Sequence, residues 1–222
     1  MPYTNLPMLR LKGKELLPIV QGGMGVGISA HRLAGEVARL GAVGTIASID
    51  LRRHHPDLLK QTERCRERGT IEQANLVALD REIKAAQEIA GGNGLIAVNV
   101  MRAVSQYADC VRRACASGAD AIVMGAGLPL DLPDLTAPWP QVALIPILSD
   151  SRGVALVLKK WQRKQRLPDA IVIEHPGYAG GHLGAARVED LHAPRFEFHT
   201  VLAEVFQVYA ELGISRESIP LI

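Results

Sequence analysis

The feature that most constrains the fold is a regular alternation of short β-rich segments with segments of helical period. Residues 95–101 (LIAVNVM) and 121–125 (AIVMG) are two of the apolar β-rich runs, and a helix-period segment follows each. Parallel strands need long crossover connections, usually helices, so this alternation predicts an α/β protein with a parallel sheet covered by helices. The predicted strands are 19–21, 43–49, 95–101, 121–125, 142–148, 170–173 and 219–222.

The predicted helices carry conventional end signals. Ser29 is the predicted N-cap of the first helix and Gly41 its stop, and a later helix is predicted to end at Gly91 and Gly92. The predicted buried face of the first helix comprises Leu33, Val37 and Leu40.

The number of predicted units is too small for a complete barrel. Six β/α units and an opening seventh strand are fewer than the eight of a TIM (β/α)₈ barrel. If the fold is a barrel, we expect residues 1–222 to form one truncated barrel domain that lacks the C-terminal β/α units.

Composition narrows the classes of function. The chain has 222 residues, 48% of them hydrophobic, and a net charge of +2, so it can bury a large core and is not strongly basic. Scattered basic residues and few aromatics argue against nucleic-acid binding. The three cysteines form no disulfide framework and no zinc motif, no apolar run reaches membrane-spanning length, and we expect no targeting leader. We expect a cytoplasmic protein without a metal or a membrane partner.

A glycine-rich loop at 22–27 permits three interpretations. Gly25 to Ala30 fits the dinucleotide pattern G-x-G-x-x-G/A, and Asp50 ends the next predicted strand, which together would form a Rossmann module for a nicotinamide cofactor. Alternatively, the glycines serve only a tight turn. In the third interpretation Gly22, Gly23 and Met24 form a platform for a flat ring at the carboxyl end of a barrel strand, where ligands bind in such folds.

A second glycine cluster follows the sixth predicted strand, in residues 170–185 (AIVIEHPGYAGGHLGA). His182 lies between Gly181 and Gly184, and flanking glycines leave an imidazole accessible and free backbone N–H groups to bind an anion. His182 is therefore the candidate catalytic residue. His175 ends the strand and is a candidate ligand contact, whereas the other histidines are interpreted as solvated or structural.

Three motifs together resemble the nitronate monooxygenase family, formerly called 2-nitropropane dioxygenases. They are PIVQGGMG (18–25), VNVM (98–101) and AGGHLG (179–184), in the order and spacing of that family. The resemblance runs from about residue 17 to the last residue. It implies an FMN-dependent (β/α)₈ barrel, in a family that also includes enoyl-acyl carrier protein reductases and quinone reductases.

The resemblance also implies the roles of individual residues. The backbone of Gly22, Gly23 and Met24 would face the isoalloxazine ring, and His182 would be catalytic. The remaining FMN contacts that it implies are Asn99 and Ser105 along the flavin, Ser149 in place of a lysine, and Gly180 and Gly181 near the ribityl-phosphate. No metal is implied.

The implied reaction is the oxidation of alkyl nitronates, or nitroalkanes, by dioxygen, in a candidate homodimer. An NAD(P)H-dependent enoyl or quinone reductase is the related alternative, and a nicotinamide-binding Rossmann module or a catalytically silent barrel is the alternative of another class. Tyr178 stands where the family commonly has an acidic residue, which leaves the substrate open. The resemblance places the family's phosphate loops after strands 7 and 8, which the 222 residues do not include, so weak or no FMN binding is expected.

Overall fold

The computed structural model describes residues 5–179 and 187–222. Its strands are β1 (Leu9–Leu11), β2 (Lys14–Leu16), β3 (Val43–Ala47), β4 (Leu95–Met101), β5 (Ala121–Gly125), β6 (Ala143–Leu148) and β7 (Val172–Ile173). Its α-helices are α1 (His31–Arg39), α2 (Pro56–Thr62), α3 (Arg68–Ala90), α4 (Tyr107–Ala116), α5 (Leu132–Leu135), α6 (Ser151–Gln162) and α7 (Phe198–Glu211). Short 3₁₀ helices occupy Leu51–His54, Val188–His192 and Pro194–Phe196.

Strands β3 to β7 form a parallel sheet in the order of the chain. Parallel bridges from Val20 to Val43 and from Ile171 to Leu221 add one further segment at each border. This sequential order, with helices packed on the outer face, is that of a TIM (β/α)₈-type barrel, which the described residues leave open. A Rossmann sheet reverses its strand order at a switch point, so the Rossmann interpretation of the glycine loop is wrong.

Side chains alternate between the two faces of the sheet. Ile46, Ile96 and Ile122 point outward and pack beneath the helices, whereas Val43 and Ala97 point inward. Both faces are apolar, as expected for parallel strands that are covered on both sides. The inward positions at the carboxyl ends of the strands are therefore the ones that can reach a ligand.

A short antiparallel hairpin, β1–β2, precedes the barrel strands and was not predicted. Its turn holds Lys12 and Gly13 at φ 48° and 77°, the left-handed conformation that a tight hairpin requires. Leu11 and Leu16 are buried among the inward side chains of the sheet. The hairpin thus fills the inside of the sheet at the amino ends of its strands.

Helix α1 differs from its prediction. The helix begins at His31 with Ala30 as N-cap, so Ser29 does not cap it. Leu33 and Leu40 are exposed and Val37 is partly buried, whereas the buried residues are Ala34, Gly35 and Ala38. The reason is close packing, because a Cβ on Gly44 of β3 would lie only 1.8 Å from the carbonyl oxygen of Ala34. A helix this near to the sheet has room only for small side chains.

Of the other predicted elements, the strands 19–21 and 219–222 are reduced to isolated bridges at Val20 and Leu221 and 170–173 to Val172–Ile173, whereas the remaining ones agree with the structure. Strands 95–101 and 121–125 have their predicted bounds, whereas the predicted strand 43–49 ends at Ala47. Helix α3 ends before Gly91, which adopts φ 59° as its C-cap. Within the described ranges, no helix is long and apolar enough to cross a membrane.

Candidate functional site

The carboxyl ends of the first strands open onto a cavity of about 630 Å³, which we call the glycine-lined cavity. Its volume falls in the range of small-molecule and cofactor sites. Ligands of parallel barrels bind at this end of the strands. The lining residues that matter here are Gly22, Gly23, Met24, Asn99, Met101 and Glu174.

Strand alternation places Asn99 and Met101 in the cavity. Asn99 is opposite Ala47 in the register of β3 and β4 and is only 8% exposed, and Met101 lies one inward position further along β4. The Asn99 carbonyl accepts a hydrogen bond from Ser48 N–H at 3.1 Å, which fixes the end of β3 against β4. The amide side chain of Asn99 is thus held on a rigid strand at the cavity wall.

The glycines expose bare backbone to the cavity. A Cβ on Gly22 would meet no atom within 4 Å, whereas a Cβ on Gly23 would lie 2.5 Å from Cβ of Asn99. Gly23 is therefore required by its close approach to Asn99, and Gly22 leaves open space over the loop. A wall of this kind suits the face of a flat ring.

Among the described residues that line this cavity, Glu174 is the one that carries a carboxylate. Its backbone N–H donates to the Leu148 carbonyl at 2.9 Å, and this bond continues the pairing of β7 with β6 past Ile173. Val172 faces inward and Ile173 outward, so Glu174 falls on the inward face. Sequence reasoning did not select Glu174 or Met101 for the site. The same alternation of side chains along each strand could have indicated that both face inward.

His175 lies outside this lining. It is 6% exposed, and its Nδ1 accepts a hydrogen bond from Gly177 N–H at 3.0 Å. Its ring centroid lies 4.7 Å from that of Tyr178 and 5.7 Å from that of Phe198. The described contacts of His175 therefore organise the loop after β7.

A second, smaller cavity of about 290 Å³ lies on the outer side of the sheet, beside the first turns of α3 and α4. Ser105 lines this second cavity and not the glycine-lined one, although Met101 borders both.

Two titratable groups beside the second cavity have raised pKa values. Burial raises the pKa of the Cys110 thiol, at the edge of the second cavity, to about 12. Tyr107 donates a hydrogen bond to Asp131 at 2.5 Å, and this bond raises the pKa of the phenol.

The structure thus brings together four of the residues predicted for the site: Gly22, Gly23, Met24 and Asn99. Ser149 directly follows β6 at the same edge of the sheet and is half-buried, but does not line the cavity. Gly180, Gly181 and His182 lie outside the described residues. Asp50, the acidic residue of the Rossmann interpretation, instead pairs with Arg52 and Arg53 at 3.2 and 3.0 Å.

Solved structures with the same fold include FabK from Thermotoga maritima, at 15% identity and a TM-score of 0.57, which covers 92% of this chain. A nitroalkane oxidase from Streptomyces ansochromogenes matches at 16% identity and a TM-score of 0.59, also over 92% of this chain. The chain spans 57% and 64% of the length of these two proteins, respectively. No curated protein sequence matches it significantly.

The strand order, the cavity at the carboxyl ends and the glycine wall agree with the resemblance carried by the three motifs. A model of the family "Nitronate monooxygenase" matches residues 10–222, which is nearly the whole chain. The chain therefore belongs to the nitronate monooxygenase family.

Proposed function

We propose that the chain is an FMN-dependent oxidoreductase of the nitronate monooxygenase type, which oxidises alkyl nitronates with dioxygen. The observation that carries the proposal is the glycine-lined cavity, in which Gly22 offers open backbone and Asn99 packs behind Gly23. Residues 1–222 would form the barrel domain that contains this site.

The described residues fit one side of a flavin. Gly22, Gly23 and Met24 would lie against the ring, the side chain of Asn99 would run alongside it, and Ser149 would approach it from the end of β6. When bound, FMN would supply the redox chemistry, which is the acceptance of electrons from the substrate and their transfer to dioxygen. A role for Ser105 would require a ligand that reaches the second cavity.

The chain's own contribution would be to bind and orient the substrate. We propose that His182 holds the nitronate oxygens, or accepts the proton of a neutral nitroalkane, since an imidazole can do either near neutral pH. Gly180 and Gly181 would offer backbone N–H groups to the phosphate end of the cofactor. Met101 and Ile49 would keep water from the ring face of the cavity.

Anaerobic titration tests the proposal. The chain is loaded with FMN, and the visible flavin band is followed on addition of propyl-1-nitronate and, separately, of NADH and NADPH. We expect bleaching by the nitronate and recovery of the band on admission of air. Bleaching by a nicotinamide alone would favour the enoyl or quinone reductase, and no quenching of FMN fluorescence by the chain would favour a catalytically silent barrel.

A further inference from the structure

Two side chains behind the glycine loop, Gln21 and Ser29, hydrogen-bond to its backbone. Gln21 reaches from the loop to β3, where its Oε1 accepts a hydrogen bond from Thr45 N–H at 2.9 Å. Its Nε2 donates to Ser29 Oγ at 2.8 Å and also to the carbonyl oxygen of Gly22. Gln21 therefore ties the first glycine to a buried strand.

Ser29 completes the network. Its hydroxyl accepts from Gln21 Nε2 and, at 2.9 Å, from Met24 N–H, and donates to the Gly22 carbonyl at 3.2 Å. One donated and two accepted bonds are the full capacity of a hydroxyl group. The residue is 0% exposed, so all of this bonding takes place away from water.

The backbone of Ser29 is used as well. Its N–H donates to the Met24 carbonyl at 3.0 Å, and its carbonyl accepts from Ala47 N–H, also at 3.0 Å. The chain is thus bonded back onto the loop and onto the end of β3. This bonding explains why Ser29 does not cap α1, although its residue type and position predict a cap.

We propose that Gln21 and Ser29 are positioning residues that hold the 22–24 turn in one conformation, and that this conformation leaves the Gly22 and Gly23 N–H groups to make the ring contact already proposed for the turn. The second part rests on the proposed function. Met24 N–H and the Gly22 carbonyl are already bonded within the network, whereas no hydrogen bond among the described residues engages the N–H of Gly22 or Gly23.

Preorganisation is the physical reason for such a network. A glycine-rich turn has many accessible conformations in solution, and ordering it when a ligand binds would weaken the binding. Gln21 and Ser29 impose that order before binding and do not themselves line the cavity. Supporting residues of this kind set the precision of a binding site.

Amide hydrogen exchange tests the first part without any cofactor. In Ser29→Ala, the Met24 N–H loses its acceptor, and we expect its protection factor to fall at least tenfold relative to the unaltered chain. Ser117→Ala is the matched control, because Ser117 is also buried and its hydroxyl donates to Asp80 at 2.7 Å, in another part of the fold. Unchanged protection of Met24 in Ser29→Ala would overturn the positioning role.

FMN titration followed by ¹⁵N chemical shifts tests the second part. In the unaltered chain, FMN should shift the Gly22 and Gly23 amide resonances more than that of Met24, and Ser29→Ala should weaken FMN binding about tenfold, the effect of one or two lost hydrogen bonds. Ser117→Ala should leave the affinity unchanged. A larger shift at Met24, or unchanged affinity in Ser29→Ala, would overturn the assignment.

Ser29→Cys serves if Ser29→Ala does not fold, because the thiol keeps the shape but is a weak hydrogen-bonding partner. It should also lower the protection of Met24. If the unaltered chain binds no FMN, the proposed function and the Gly22 and Gly23 contacts both fail, whereas the exchange experiment still decides whether Ser29 holds the turn.

Discussion

Two of the three cysteines are buried on the outer side of the sheet. Burial raises the pKa of the Cys110 and Cys115 thiols to about 12, whereas Cys65 is partly exposed. The thiolate is the reactive form, so a raised pKa makes a thiol slow to react at pH 8. We expect a thiol reagent to modify Cys65 rapidly in the folded chain, and all three cysteines only in denaturant.

Cys65→Ser is the control for that measurement, since it should abolish the rapid phase. Rapid modification of two or more thiols in the folded chain would contradict the burial of Cys110 and Cys115.

The same pKa shifts also give a pH dependence of stability. An unfolded thiol titrates near 9 and these folded ones near 12, so the unfolded state loses its protons first and stability falls as the pH rises through this interval.

The proposed catalytic role of His182 is also tested at a single residue. His182→Asn should lower kcat with a neutral nitroalkane by about 10²- to 10⁴-fold, the usual contribution of a general base, while FMN binding is kept. His199→Asn is a suitable control because His199 is exposed at the start of α7. Loss of FMN affinity with an unchanged kcat would assign His182 to the cofactor and not to the chemistry.

Among the elements, three helices meet at one buried carboxylate. Glu82 of α3 is 1% exposed and accepts hydrogen bonds from the backbone N–H and Nδ1 of His31, both at 2.7 Å. His55 Nε2 lies 3.1 Å from the other oxygen. His31 begins α1 and His55 is the N-cap of α2, so Glu82 fastens the starts of both helices to α3.

Removal of this carboxylate should therefore cost stability. We expect Glu82→Ala to lower the free energy of unfolding by about 3 kcal/mol, because the N–H and ring of His31 lose their acceptor and the ring of His55 loses the carboxylate beside it. Urea denaturation at pH 7.5 measures the change. Glu36→Ala removes an exposed partner of Arg39 and should cost less than about 1 kcal/mol. Equal effects of the two substitutions would contradict the fastening role.

The contact between α1 and β3 depends on Gly44. We expect Gly44→Ala to destabilise the chain by about 3 kcal/mol, since the new methyl group meets the Ala34 carbonyl and the helix must move. Gly69→Ala is the matched control. Gly69 lies in the first turn of α3 with open space at its Cβ position, so alanine there should be neutral or stabilising. Thermal unfolding of both variants compares them directly.

For the molecule as a whole, the sequence predicted the features that follow from local pattern. The bounds of β4 and β5 and the end of α3 were readable from apolar runs and a C-terminal glycine. The buried face of α1 was not, because it depends on how close the helix lies to Gly44, a distance that no periodicity contains. The β1–β2 hairpin was not predicted because its strands have three residues each, too few to show an alternation of apolar and polar residues.

The candidate site was predictable to the same degree. The glycines of the loop follow a strand end, whose position follows from the fold class, and Asn99, which the family resemblance implied, does meet them in one cavity. Ser105 lies beyond the end of β4, where the direction of the loop decides which side it faces, and that direction depends on tertiary packing. The cytoplasmic location and the homodimer remain predictions.

The hairpin closes the inside of the sheet, and its leucines should therefore matter to global stability. We expect Leu16→Ala to cost about 2 to 5 kcal/mol, as for other buried leucines. Leu40→Ala removes the same atoms from a side chain that is 66% exposed and should change little. Chemical denaturation distinguishes the two, and a negligible effect of Leu16→Ala would mean that the hairpin is not part of the core.

The partners of this hairpin also bear on how the chain is made. Lys14 Nζ donates to the Gly94 carbonyl at 3.0 Å, and Lys12 pairs with Asp169 at 3.2 Å. The hairpin is thus synthesised some 150 residues before Asp169, an interval on the order of ten seconds at ordinary rates of translation. Throughout that interval Leu11 and Leu16 lack the later strands against which they pack, so we expect the nascent hairpin to expose apolar surface until the segment around Ala170 has been synthesised.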